Sequence, residues 1–167
     1  MRSLRERLVA RRGLEFVSAG FPAGERTGVA DFSSLNQPII DEFRAHGGLV
    51  ESRGFGRSLV LVHHVGAKTG AARVAPVMAI HPDGDTWWIA ASKAGAPEHP
   101  AWYHNLLAHP ETVIEVPDEG EVAVRAEELA GAERDAAWVR FVERSPAFGQ
   151  YEQRTARTIP VVALRRR

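Results

Sequence analysis

The chain has 167 residues, 44% of them hydrophobic, which is enough for one domain with a proper core. Its 21 lysines and arginines balance its 21 aspartates and glutamates, so it lacks the overall basic charge of a general nucleic-acid binder. It has no cysteine, which excludes disulfides, thiolate catalysis and cysteine-ligated zinc, and no stretch approaches the roughly 18 apolar residues of a membrane span.

Residues 1–30 differ from the rest. Arg2, Arg5, Arg7, Arg11 and Arg12 are interleaved with Leu4, Leu8 and Val9, and Gly20, Pro22, Gly24 and Gly28 then break regular structure. The start lacks the apolar core of a signal peptide, so a soluble cytoplasmic protein is the default expectation. The plainer reading of residues 1–30 is a loosely docked, mobile extension. The alternative is a basic amphipathic helix in weak, peripheral association with the inner membrane face.

Ordered structure is expected from about Asn36. Pro38 suits a first helical turn, and Ile39, Ile40 and Phe43 form an apolar stripe that Gly47-Gly48 brings to a stop. Residues 59–65, Leu-Val-Leu-Val-His-His-Val, are apolar on both faces and predict a buried strand. Residues 74–80 form the returning strand, Pro82-Asp83-Gly84-Asp85 a hairpin turn, and residues 86–91 a third strand.

Pro100 opens a helix that runs to about His109 and ends before Pro110. Residues 112–116 and 121–129 pair across Pro117-Asp118-Glu119-Gly120. Residues 131–143 predict a helix with Ala132, Ala136, Val139 and either Phe141 or Val142 on the inner side, and a shorter helix follows at residues 148–154. Residues 159–164 close the chain as a strand. Hairpin-linked strands with helices inserted late imply an α+β, mainly β, antiparallel sheet able to curl into a barrel. Residues 31–167 should form that single domain.

Chemistry concentrates in two segments. The first is Gly66-Ala67-Lys68-Thr69-Gly70-Ala71-Ala72-Arg73-Val74-Ala75-Pro76, a glycine-flanked basic loop between two strands. Lys68 and Arg73 can converge on one anion there, with backbone N–H donors around Gly66 and Gly70. Ala67-Lys68-Thr69 looks superficially like a nucleotide-binding P-loop, but the preceding Gly-x-x-x-x-Gly and the following helix are missing. An ordinary solvated hairpin tip is the plainer alternative.

The second segment runs from Ala90 to Leu106. Bulky Trp87, Trp88 and Ile89 give way to small Ala90 and Ala91, which lets a flat ring approach the backbone. Ser92 can donate to a ring carbonyl, and Lys93 adds positive charge. Trp102 and Leu106 share a helix face, a spacing that more often means core packing. Asn105 is more informative, because an amide near an apolar face usually has a specific partner.

Tyr151, with Phe148 and Arg154 one turn to either side, can cover a pocket and hand over a proton, or it can simply pack. His63 and His64 point to opposite strand faces, and His99 and His104 miss the i, i+4 spacing, so no metal site is expected. The nucleophile elbow of a serine hydrolase is also missing.

Together these pieces resemble the deazaflavin-dependent nitroreductase family, which uses coenzyme F420 and includes quinone reductases. The likeness spans residues 35–164. It rests on Asn36-Gln37-Pro38-Ile39-Ile40-Asp41-Glu42-Phe43-Arg44, Gly66-Ala67-Lys68-Thr69-Gly70, Ala91-Ser92-Lys93-Ala94-Gly95-Ala96-Pro97, His99-Pro100-Ala101-Trp102-Tyr103, Asn105-Leu106, and Tyr151-Glu152 and Thr155 leading to Ile159-Pro160-Val161-Val162.

The resemblance implies a split β-barrel of the FMN-binding-like type, with antiparallel strands and peripheral helices. Lys68, Thr69 and Arg73 would hold the phosphate and acidic tail of F420. Pro76, Val77 and Met78 would line its ring, with Ala91, Ser92 and Lys93 opposite. Trp102 and Asn105 would close the tail side, and Tyr151 would face the substrate. The implied reaction moves a hydride from C5 of reduced F420 to a small electron-poor acceptor, a quinone or nitro-aromatic, and the proton comes from Tyr151 or water. The alternatives are FMN in the same groove, or a carrier that binds deazaflavin without turnover. His63-His64 stands where many relatives have small hydroxyl residues, and Phe148 where some offer a second tyrosine.

Overall fold

The computed structural model describes residues 32 to 167. The expectations for residues 1–30, including membrane association, lie outside the described residues. Helix α1 (Phe32–Ala45) carries Pro38 in its interior rather than in its first turn. The helix tolerates the missing N–H because buried Ile39, Ile40 and Phe43 hold it against the barrel. Gly48, at φ 97°, ends it: a Cβ there would meet the Pro117 Cα at 2.4 Å.

Six antiparallel strands close into a barrel. Strand β1 (Leu59–Val65) pairs with β2 (Ala72–Asp83), which pairs with β3 (Thr86–Ala90). Past an intervening helical stretch, β4 (Glu111–Val116) forms a hairpin with β5 (Gly120–Glu128), and β6 (Val161–Arg166) bridges β3 and β5. The seam is short: β4 returns to β1 at Leu61↔Glu115 and Val62↔Ile114. Closure leaves no free sheet edge.

Alternation along the strands builds two cores. Val60, Val62, Val77, Ile89, Ile114, Val124 and Leu164 fill the barrel, and α2 (Ala101–Ala108) caps it with Trp102, Tyr103 and Leu106. Leu59, Leu61 and Met78 face outward against α1, in a cluster completed by α3 (Gly131–Arg144) and α4 (Ala147–Arg154).

Strand β2 extends beyond the expected residues 74–80. It runs through Pro82 because the register shifts between Ile80 and Asp83, and an irregularity is where a strand can hold a proline. On α3 the buried residues are Ala137, Trp138 and Phe141, while Val139 is 53% exposed and Ala132 and Ala136 also face solvent. The expected inward face was therefore wrong except at Phe141 and the half-buried Val142. Trp138 and Phe141 carry far more apolar surface than a pair of alanines, and they set the rotation of the helix.

Candidate active site

A cavity of about 810 Å³ lies beside the barrel mouth. Asn36, Gln37, Ile40 and Arg44 of α1 form one wall. His63, His64 and Val65 of β1 and residues 71–77 of the β1–β2 hairpin form the next, and Ala90, Lys93, Pro100, Ala101 and Trp102 complete the far side.

The 66–71 loop spends most of its amides on itself. Gly66 N–H donates to the Ala71 carbonyl at 2.9 Å, Gly70 N–H to the Gly66 carbonyl at 2.8 Å, and Ala71 N–H to Thr69 Oγ1 at 3.3 Å. Ala67 N–H donates to Asn105 Oδ1 at 2.9 Å. Within this loop, the amides that have no partner among the described residues are those of Lys68 and Thr69, not those of the two glycines. The side chains of Lys68 and Arg73 also lack acidic partners among the described residues. Arg73 lines the cavity, whereas Lys68 and Thr69 stand exposed on the tip outside its lining.

Asn105 has the specific partners its sequence position suggested. Its oxygen is engaged by Ala67, so its Nδ2 donates to His64 Nδ1 at 2.9 Å. This ties α2, β1 and the basic loop together. Burial, then the charges of Arg73 and His63, push the His64 pKa down to about 4.

His63 points the other way, as strand geometry requires. Its Nε2 lies 2.8 Å from Glu115 Oε1, and Arg44 grips the same carboxylate through two nitrogens, Nε at 3.0 Å from Oε2 and Nη2 at Oε1. The hydrogen bond from Arg44, aided by His63, holds the Glu115 carboxyl below its usual range despite partial burial. Thr112 Oγ1 donates to the His63 carbonyl at 2.6 Å. Arg44, His63 and Thr112 all line the cavity.

The turn after β3 is held from a distance. Lys93, Ala94 and Gly95 have φ values of 44°, 52° and 80°, a run that non-glycine residues rarely adopt. A Cβ at Gly95 would come 2.6 Å from the Tyr151 carbonyl oxygen, so only glycine fits. Arg157 fixes the turn by donating to the carbonyls of Ser92 (2.9 Å), Ala96 (2.9 Å) and Ala91 (3.2 Å). Its Nη1 also meets His99 Nδ1 at 2.9 Å. Lys93 lines the cavity and pairs with Glu98 at 2.8 Å. Sequence reasoning missed Arg157, which lies within the recognised stretch from Tyr151 to Val162 but whose partners are 58 to 66 residues away in the chain. It also missed Arg44, Glu115 and Thr112, whose contacts join distant parts of the chain.

Of the anticipated residues, Arg73, Pro76, Val77, Lys93 and Trp102 share the cavity. Met78 packs outward beneath α1, and Ala91, Ser92 (1% exposed) and Asn105 are buried behind the lining. Tyr151 is 2% exposed in the outer core, its ring 5.8 Å from Phe148 with the Arg154 guanidinium over it at 5.7 Å, and it does not line the cavity.

These residues suit an anionic cofactor with a planar ring. Arg73 on the cavity wall and Lys68 on the loop tip are cations without acidic partners among the described residues, the amides of Lys68 and Thr69 stand open on that tip, and Ala75, Pro76, Val77 and Ala90 form a small apolar wall. The family model described as F420H(2)-dependent quinone reductase matches residues 39–166. An F420H(2)-dependent quinone reductase of Mycobacterium tuberculosis (strain ATCC 25618 / H37Rv) is 39% identical over 112 residues, which cover 65% of this chain and 73% of that protein. A solved F420-H2 dependent reductase superposes with a TM-score of 0.58 at 36% identity, over 65% of this chain and 94% of that one. HutZ, the heme storage protein from Vibrio cholerae, shares the fold alone, with a TM-score of 0.50 at 14% identity over 78% of this chain and 89% of that one. With the family match running from α1 to the last strand, this chain belongs to the F420H(2)-dependent quinone reductase family, a split β-barrel oxidoreductase whose cofactor is coenzyme F420.

Proposed function

We propose that the chain reduces small quinones, and nitro-aromatics of similar size, at the expense of reduced F420. The observation that carries this reading is the cavity that joins Arg73 and Lys93 to the apolar wall of Pro76, Val77 and Ala90. Arg73 and Lys68, with the amides of Lys68 and Thr69, hold the phosphate and acidic tail. Pro76, Val77 and Ala90 give the ring a flat seat, and Trp102 restricts water at the tail side. Met78, Ala91, Ser92 and Asn105 support those walls from behind.

When bound, reduced F420 supplies a hydride from C5, and the acceptor then takes up one proton. No side chain has to act as a nucleophile, and the contribution of the protein is placement and partial exclusion of water. Tyr151 lies outside the lining, so the proton is assigned to water entering from the open side.

Fluorescence titration with F420 against FMN, followed by menadione and nitro-aromatic reduction assays, tests the reading. Tighter F420 binding with turnover of both acceptor classes is expected. Tighter FMN binding would overturn the cofactor assignment, and F420 binding without turnover would make the chain a carrier. The assignment of residues 31–167 as one catalytic domain is tested by the same assays on a chain that begins at Asp31.

A further inference from the structure

We propose that His64 is a tautomer-locked hydrogen-bond donor to the anionic tail of the cofactor, its Nε2–H and the Arg73 guanidinium converging on one oxyanion. The inference rests on the F420 reading given above and adds a residue to it.

The lock starts at a backbone amide. Ala67 N–H can be accepted only by an oxygen, which fixes the orientation of the Asn105 side chain and turns its Nδ2 toward His64 Nδ1. Nδ1 must then present its lone pair, and the single proton of a neutral ring is left on Nε2. Protonating Nδ1 as well would set two donors face to face. The charged groups around the ring, Arg73 on β2 and His63 on β1, also oppose a second proton. The neighbour on α2, Asn105, carries no charge.

His64 is 7% exposed and lines the cavity, and its Nε2 has no protein partner among the described residues. Nε2 is not one of the fully enclosed polar atoms, so it is reachable from the cavity, where a ligand acceptor can take its hydrogen bond. Arg73 is the cross-strand partner of His64 in the β1–β2 register, and both residues line the same cavity. A neutral donor beside a cation suits one oxygen of a phosphate or carboxylate. It adds a directed hydrogen bond without burying a second positive charge.

The test uses the full chain and needs no turnover. Fluorescence titrations compare F420 with its parent deazaflavin alcohol, which lacks the phosphate and glutamyl tail. His64→Leu should weaken F420 by about tenfold and leave the alcohol unchanged, while His64→Gln, whose amide can donate, should recover part of the loss. In the wild-type chain, imidazole nitrogen NMR should show Nε2 protonated from about pH 5 to 8, with its proton shifting when F420 is added. Equal F420 affinity in His64→Leu, an equal loss for the alcohol, or a ring protonated on Nδ1 would each overturn the inference while leaving the F420 reading intact. Failure of the wild-type chain to bind F420 would overturn both.

Discussion

Arg157 holds the Ser92 carbonyl 2.9 Å from its Nη2, although 65 residues separate the two in the chain. Through this contact and its companions at Ala91 and Ala96, a guanidinium outside the cavity shapes the turn that presents Lys93 to it. Arg157→Ala leaves several carbonyls without a charged donor and should lower stability by about 2–3 kcal/mol in urea unfolding. It should weaken F420 binding as well. A variant with wild-type stability and affinity would mean that the turn holds itself.

Lys68 is exposed and lacks an acidic partner among the described residues, so its contribution should be to binding alone. Lys68→Ala is expected to reduce F420 affinity about five- to tenfold, with stability unchanged within about 0.5 kcal/mol. Added salt should narrow the difference. Unchanged affinity in low salt would remove Lys68 from the tail site.

Acid should destabilise the fold through His64. Its pKa falls from 6.5 in the open chain to about 4 in the folded one, so between these values the unfolded chain binds a proton that the fold refuses. Stability from this group is full above about pH 6.5 and declines as the pH drops toward 4, by up to about 3 kcal/mol. Other groups titrate in the same window. The comparison is therefore wild type against His64→Leu, and the variant should show the smaller decline. Parallel curves would contradict the depressed pKa.

Removing the Tyr151 hydroxyl should leave turnover nearly intact, since the ring lies in the outer core and not on the cavity wall. Tyr151→Phe is expected to keep kcat within about twofold of wild type. A tenfold or greater fall in kcat with unchanged F420 affinity would assign the proton to this residue after all.

The two faces of α3 should respond oppositely to substitution. Phe141 is fully buried and edge-on to Phe148, so Phe141→Ala should cost about 3–5 kcal/mol. Val139→Ala, on the solvent side, should stay within about 0.5 kcal/mol. Equal losses would show that the helix is rotated.

What the sequence disclosed was local. The unbroken apolar run from Leu59 and the turn residues around Gly84 announced their strands, and Gly66 and Gly70 marked the basic loop, because each signal lies within a few neighbouring residues. The face of α3 was misread because evenly spaced small residues imitate an apolar stripe when side-chain size is ignored. Contacts between remote segments had no local trace. Nothing near Glu115 in sequence announces that it receives His63 from 52 residues away and Arg44 from 71. Asn105 was legible as a residue needing partners, but only the barrel brings His64 and Ala67 to it.

Glu115 stands on the two-residue seam that closes the barrel and also anchors the helix that walls the cavity. Its carboxylate takes His63 across that seam and Arg44 from the helix, so one negative charge braces both joints. When that charge is neutralised, both fastenings slacken together, so acid does not simply empty an intact vessel; it begins to unmake the vessel around its contents.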